Sequence, residues 1–384
     1  MPLALLAGSF GRRDPGEEAV LAALIRALPG WEPIVASGAP AETIATHGCR
    51  AIPDQSRIAV VRAIAQADAT VLAGGVLDEL GPPRERVSTA ALTRVCALLS
   101  ATQALGKPAA MIGVGSGPLG SRRRRTLARA MVRRANLLVL RDTSSARILA
   151  AGGAAPPFRV GADPAWSLFE FPAAKAAGEP SSNGAGPNGS GGSDAVVAVL
   201  DGDACDSSLV TRLAQALGSL RSEGVGIRLQ PWRSAEEGAD DIRLAGVVGG
   251  RIPGAVELME PPASLADASR AFAGARLVLA LRQHALIAAA IAGVPAIAVA
   301  HDPGLVDLAR RLRQPAVAAS APAERLAEAI RLVLDHPAAS RSAIQGQVSS
   351  AEEGFRLLRL LLSQGRSEDA NDLTGLPLEP AVSV

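Results

Sequence analysis

The chain of 384 residues has no tyrosine, and its six phenylalanines and three tryptophans bring aromatics to only 2%. A core must come from Ala, Val, Leu and Ile, which a hydrophobic fraction of 48% permits. Cysteine is scarce too. Cys49, Cys96 and Cys205 are odd in number and far apart, which excludes a disulfide framework and any metal-ligand spacing and fits a reducing compartment. Only Lys107 and Lys175 are lysines, so arginine carries the positive charge, and the net charge of +2 excludes a general nucleic-acid binder. No serine nucleophile elbow, HExxH or Cys/His cluster occurs, so neither a serine hydrolase nor a metal-dependent mechanism has support. Met1–Ala7 is apolar but lacks a basic flank and is too short for a secretory signal. The longest apolar run, Ala285–Ala300, falls short of the ~20 residues of a membrane span and is broken by Gly293 and Pro295. A cytoplasmic protein is expected.

What remains is a regular alternation. Apolar runs at Leu3–Ala7, Pro33–Ala36, Ala69–Ala73, Ala109–Val114, Leu137–Leu140, Ala195–Leu200, Gly226–Gln230, Ala275–Leu281 and Ala296–Ala300 predict buried strands. Helical patterns such as Glu17–Leu28, Ser88–Leu105, Arg122–Ala135, Ser207–Leu220 and Ala285–Ala292 stand between them. Strands apolar throughout and separated by helices predict parallel sheets covered on both faces. The length favours two domains. The boundaries expected are an N-terminal α/β domain over 1–170, a Gly/Ser/Pro linker over 171–194, a C-terminal α/β domain over 195–366 and a disordered tail over 367–384. Two doubly wound α/β domains facing across a cleft constitute a GT-B-like architecture.

In such sheets ligands bind beyond the carboxyl ends of the strands. Arg282-x-His284 lies there, between an apolar strand and an Ala-rich helix, so a fixed cation and a titratable imidazole stand at a helix N-terminus that favours anions. His301-Asp302-Pro303 ends the next strand and opens on the same edge. In the first half, Gly8-x-x-Gly11 precedes Glu17 and Glu18, Gly74-Gly75 leads to Asp78, Gly113-x-Gly115-x-Gly117 precedes Pro118, and Arg141-Asp142 closes a strand. Gly161-Ala-Asp163-Pro164 forms a second acidic turn, and Pro231-Trp232 ends a strand in the second half. Each glycine loop reads either as a cradle of backbone N–H groups for an anion or as a tight turn. Arg282 and His284 read either as an anion site or as a buried Arg–carboxylate pair beside a satisfied histidine. Arg122–Arg125, Arg129, Arg133 and Arg134 crowd one helix, forming either a solvated face or an attractor of an anionic lipid surface or lipid diphosphate.

Taken in order, these segments resemble the polysaccharide pyruvyl transferases, in particular the CsaB-type branch that modifies secondary cell-wall polymers for S-layer anchoring. The likeness runs from about residue 3 to 318, interrupted by the linker. It rests on Gly8-x-x-Gly11…Gly16-Glu-Glu-Ala19, Ala73-Gly-Gly75, Gly113-x-Gly115-x-Gly117-Pro-Leu119, Arg141-Asp-x-Ser144, Ala162-Asp-Pro-Ala165, Pro231-Trp232, Arg282-x-His284-Ala-Leu-Ile287 and Asp302-Pro303. Five positions depart from the family pattern. Gln283 replaces leucine, His301 tyrosine, Gly304 lysine, Ala73 glycine and Glu17 aspartate.

The resemblance implies transfer of the pyruvyl group of phosphoenolpyruvate to a sugar of a lipid-linked cell-wall precursor as a cyclic ketal, with no cofactor and no metal. It implies His284 as acid, Arg282 as a clamp on carboxylate or phosphate, and Glu17 or Asp78 as base. Gly8, Gly11, Gly74, Gly75, Gly115, Gly117, Arg141 and Asp302 are the expected substrate-binding positions. Phosphoenolpyruvate and the lipid-linked saccharide are the expected partners, with peripheral contact at the inner membrane face and no nucleic acid. The rival expectations are a nucleotide-sugar glycosyltransferase of the same architecture and a non-catalytic, degenerate relative.

Overall fold

The computed structural model describes residues 1–75, 80–81, 86–154, 157–169, 195–233, 241–337 and 340–364. The linker expected at 171–194, the tail at 367–384 and Asp78 lie outside the described residues. Two parallel sheets form the frame. The first holds β1 (Leu3–Ala7), β2 (Glu32–Ser37), β3 (Arg50–Pro53) and β4 (Ala69–Ala73). After the short antiparallel pair β5 (Leu80–Gly81) and β6 (Arg86–Val87), it continues with β7 (Ala109–Val114), β8 (Leu137–Leu140) and β9 (Arg159–Val160). The second holds β10 (Ala195–Val199), β11 (Gly226–Gln230), β12 (Glu257–Leu258), β13 (Leu277–Ala280), β14 (Ala296–Ala300) and β15 (Ala316–Ala318).

The strand orders are β3-β2-β1-β4-β7-β8-β9 and β12-β11-β10-β13-β14-β15. Both are doubly wound, with the chain reversing direction across the sheet between β1 and β4 and again between β10 and β13. At such a switch point the loops diverge and leave a crevice beyond the strands' carboxyl ends. Every strand pair within the two sheets is parallel, and the central strands β4, β7, β10 and β13 are buried along their whole length, as apolar runs without alternation require.

The two halves are fastened together. One apolar cluster runs from Leu24 and Trp166 on the first half to Leu286, Phe272 and Phe355. The last helix, Arg341–Gln364, lies beyond the second sheet in sequence yet packs against β7, β8 and the short helix Pro164–Leu168 of the first half. Its buried face, with Phe355, Leu358 and Leu361, supplies the apolar surface that the first sheet would otherwise leave open. No helix among the described residues is long and apolar enough to cross a membrane.

Candidate active site

The loops after β1, β4, β8, β10 and β13 meet where the two switch points face each other. The helix Pro15–Ala27 starts at Asp14, whose Oδ1 accepts the Gly16 N–H at 2.9 Å and the indole N–H of Trp232 at 3.2 Å, tying the first half to the second. The helix Gln283–Ala292 starts at Arg282 with no side-chain cap. Its first turn carries His284, only 7% exposed, with the imidazole lying on the backbone of Gly16.

His284 is buried among carboxylates. Its Nε2 is 3.4 Å from Oδ2 of Asp163, and neither atom has a hydrogen-bond partner among the described residues. The other oxygen of Asp163 caps the short helix by accepting the Ala165 N–H at 2.9 Å. Burial alone would lower the His284 pKa, but the Asp163 carboxylate, with Glu17 and Asp14, outweighs it and raises the imidazole to about 9. The same pairing holds Asp163 below the ordinary carboxylate value against its own burial.

Glu17 shows the opposite balance. Burial, supplemented by Asp14 and Asp163, outweighs the pull of His284 and the Gly75 N–H and raises its pKa to about 7. Both Glu17 carboxylate oxygens accept that N–H at 3.1 Å. Gly74, at φ 68°, passes so close that a Cβ would sit 2.3 Å from Glu17 Oε2, so the turn holds the carboxylate only because it carries no side chain there.

Arg282 is engaged by carboxylates. Its Nη2 lies 2.9 Å from Asp201 and 3.2 Å from Asp241, and its Nη1 is 3.8 Å from Asp14. Asp241, fully buried, also accepts the backbone N–H groups of Gly202 and Arg233. The expected clamp on a substrate anion thus has three protein anions as neighbours. The surroundings are those of an internal ion network joining β10, β13, the helix from Asp241 and the Asp14 turn.

The other expected positions divide. Gly74 and Gly75 hold Glu17 beside His284. Gly8 packs under Phe10 and the Ala73 carbonyl, and the Gly11 N–H is taken by Glu18 Oε1 at 2.7 Å. Gly115 is buried and Gly117 half-buried, in a loop anchored where Ser116 donates its N–H to Ser145 Oγ at 2.8 Å. Asp302 caps the helix Pro303–Arg311 through the Leu305 N–H. Arg141 lines a small cavity next to Asp163, with Asp142, Gln283, Gly304, Arg311 and Gln347. Arg311 comes from the second half and is oriented by Asp307, Thr143 and the Gly161 carbonyl. Asp14, Asp163, Asp201, Asp241 and Arg311 were not among the expected site residues. For the first two the signal was present, since Asp-Pro before a helical pattern marks a capping aspartate.

A family model described as polysaccharide pyruvyl transferase matches residues 41–303, which include Arg141, Asp163, Arg282, His284 and Asp302. The chain belongs to the polysaccharide pyruvyl transferase family. The matched span of this pyruvyl transferase family member leaves out Asp14 and Glu17, which the fold brings to its histidine. A comparison with curated proteins finds no match. Solved structures of similar fold include the UDP-GlcNAc 2-epimerase of Methanocaldococcus jannaschii in complex with UDP-GlcNAc and UDP, at 12% identity and TM-score 0.59, covering 94% of this chain and 100% of that one. Anabaena Alr3699/HepE in complex with UDP and glucose gives 14% identity, TM-score 0.59 and the same coverages. A putative UDP-N-acetylglucosamine 2-epimerase of Listeria monocytogenes gives 11% and 0.58, covering 94% of this chain and 95% of that one. At these identities the likeness is one of fold, and the fold is GT-B-like.

Gly16 offers a test of the imidazole's seat. A methyl group there would stand 2.0 Å from Nδ1 of His284, so Gly16→Ala must displace the ring, while alanine suits the helix itself. If the ring takes part in the chemistry, the expected result is about 100-fold less transferase activity, with a melting temperature lowered by a few degrees as the ring is pushed off Asp163. Full activity in this variant would show that the ring position is immaterial.

Proposed function

We propose that the protein transfers the pyruvyl group of phosphoenolpyruvate to two hydroxyls of a sugar in a lipid-linked cell-wall saccharide, a secondary cell-wall polymer precursor of the kind used for S-layer anchoring. The observation that carries this reading is the buried His284, flanked by Asp163 and Glu17, within the segment matched by the pyruvyl transferase family. Protonated His284 gives its proton to C3 of the enol phosphate, and a sugar hydroxyl bonds to C2. The C2–O bond to phosphate then breaks, the second hydroxyl closes the ketal, and phosphate leaves. Of the two hydroxyl protons, one restores His284 by way of Glu17 and the other departs with phosphate.

Because Arg282 faces three carboxylates, the donor's anionic groups are assigned to the small cavity where Arg141 and Arg311 converge with Gln283 and Gly304, although Asp142 and Asp307 stand 3.5 and 3.2 Å from these two arginines and Asp163 also lines it. Gly304 contributes by its size. Its absent Cβ would lie 2.7 Å from the Gln283 amide nitrogen and 3.2 Å from Asp142. Arg282 becomes a positioning residue, holding Asp14 and through it the turn that carries Gly16 and Glu17.

The direct test combines purified protein, phosphoenolpyruvate and a lipid-diphosphate disaccharide, with phosphate release and a ketal mass shift as readouts. Consumption of a nucleotide sugar instead would replace this reading with a glycosyltransferase. A folded protein with neither activity would indicate a non-catalytic relative. The pH profile is a second check. Glu17 must be ionised to accept a proton and His284 protonated to donate one, so kcat/KM is expected to peak between about 7 and about 9. It falls about tenfold per pH unit on either side. A profile that fell neither below about 7 nor above about 9 would remove both assignments.

A further inference from the structure

Charge is distributed very unevenly along this nearly neutral chain. Between Arg86 and Ala162 stand thirteen lysines and arginines and one acidic residue, Asp142, although the whole chain holds 39 basic and 37 acidic residues. The structure places most of this stretch's charge on three helices over one face of the first sheet, while Arg141 lines the site cavity and Arg159 stands near Glu353 of the last helix. The helices Thr89–Ala104, Arg122–Arg134 and Thr143–Ala151 bury Leu92, Val95, Leu99, Met131, Val132 and Leu149 in a single cluster against the first sheet. Their polar sides therefore face outward. Arg122, Arg123, Arg125, Arg133 and Arg147 are exposed, and none forms an ion pair among the described residues. Elsewhere Arg270, Arg325 and Arg356 pair with carboxylates, whereas the exposed Arg57, Arg62, Arg251, Arg313 and Arg341 form no ion pair among the described residues but are scattered over several elements.

We propose that this three-helix arginine face docks the protein on an anionic lipid bilayer. Three observations select that partner. The apolar residues of the helices are spent on the core, so contact is made by charge at the headgroup level and not by insertion. Arg86–Ala162 contains one aromatic, Phe158, which is partly buried against the core, so the face has no platform on which bases would stack. Finally, the helix Arg122–Arg134 starts directly behind the Gly115–Gly120 loop at the carboxyl end of β7, the edge that carries the active-site loops. A bilayer on this face lies beside the cleft, where a lipid-linked saccharide would arrive without leaving its membrane.

The test needs no substrate, so it stands or falls separately from the transfer reaction. Purified protein is sedimented with vesicles of equimolar phosphatidylglycerol and phosphatidylcholine, and with phosphatidylcholine alone. Binding to the anionic vesicles only, weakening as salt is raised, is expected. Each arginine near the surface contributes about fivefold to partition, so R122E/R123E/R125E should lower it at least about 100-fold with an unchanged thermal melt. The charge-matched R270E/R325E/R356E, on other faces, should still bind. Equal binding to neutral vesicles, undiminished binding of the first triple variant, or preferential binding of duplex DNA over anionic vesicles would each overturn the proposal.

Discussion

His284→Gln should lower kcat/KM by about 10²–10⁴-fold, the range that a positioned general acid contributes. Glutamine keeps a polar side chain of similar reach but cannot hold a transferable proton. The loss should be clearest toward pH 9, where Glu17, raised to about 7, is ionised and cannot serve as acid in its place. Stability should fall by about 1–3 kcal/mol, because Oδ2 of Asp163 loses the cation that faces it and has no other partner. Transfer and thermal melting are measured on the same preparation, with activity read well below the transition. Wild-type kcat/KM in this variant would end the assignment of His284 as acid.

The second large effect is on folding. Arg282→Met removes the cation that Asp14, Asp201 and Asp241 share, leaving buried carboxylates uncompensated at an expected cost of about 3–5 kcal/mol. Urea unfolding should show a lower midpoint with an unchanged slope. Adding Asp241→Asn should recover part of the loss, since it removes the most buried of the three carboxylates, left with Arg233 at 4.0 Å as its remaining cation. A clamp on phosphoenolpyruvate would behave differently, with KM rising while stability held. The pH dependence follows from Asp14, which is kept below the ordinary carboxylate value because Arg282 and His284 outweigh its burial. A depressed carboxylate stabilises the fold above its ordinary value and loses that contribution as pH falls through the depressed one. The gap between wild type and Arg282→Met should therefore narrow in acid. A constant gap would mean that the arginine acts through packing alone.

Much of the frame was legible beforehand. The apolar runs Leu3–Ala7, Ala69–Ala73, Ala109–Val114, Leu137–Leu140, Gly226–Gln230 and Ala296–Ala300 are strands with the expected bounds. They lie inside the sheets, where burial on both faces demands an unbroken apolar run. Arg50–Pro53, Arg159–Val160, Glu257–Leu258 and Ala316–Ala318 escaped notice because each is at or next to a sheet edge, short and partly exposed, so no apolar run marks it. At the site, Arg282 and His284 were visible as polar residues abruptly ending an apolar strand. Of their carboxylate partners, Glu17 was expected and Asp163 stood out as an acidic turn, whereas Asp201 and Asp241 carried no signal, since nothing in the local sequence shows that a cation faces them.

By itself, the sequence determined the two parallel α/β sheets, the polar and glycine-rich loops at their carboxyl edges and the family, because strand burial and glycine turns are local consequences of local residues. Only the tertiary structure decided which side chains meet. It set Arg282 among three carboxylates, gave His284 to Asp163 and Glu17, and returned the last helix to the first sheet. The physical reason is that charge and pKa depend on distance and burial in space. Those quantities come from segments far apart in the chain, closed onto one another at two facing switch points.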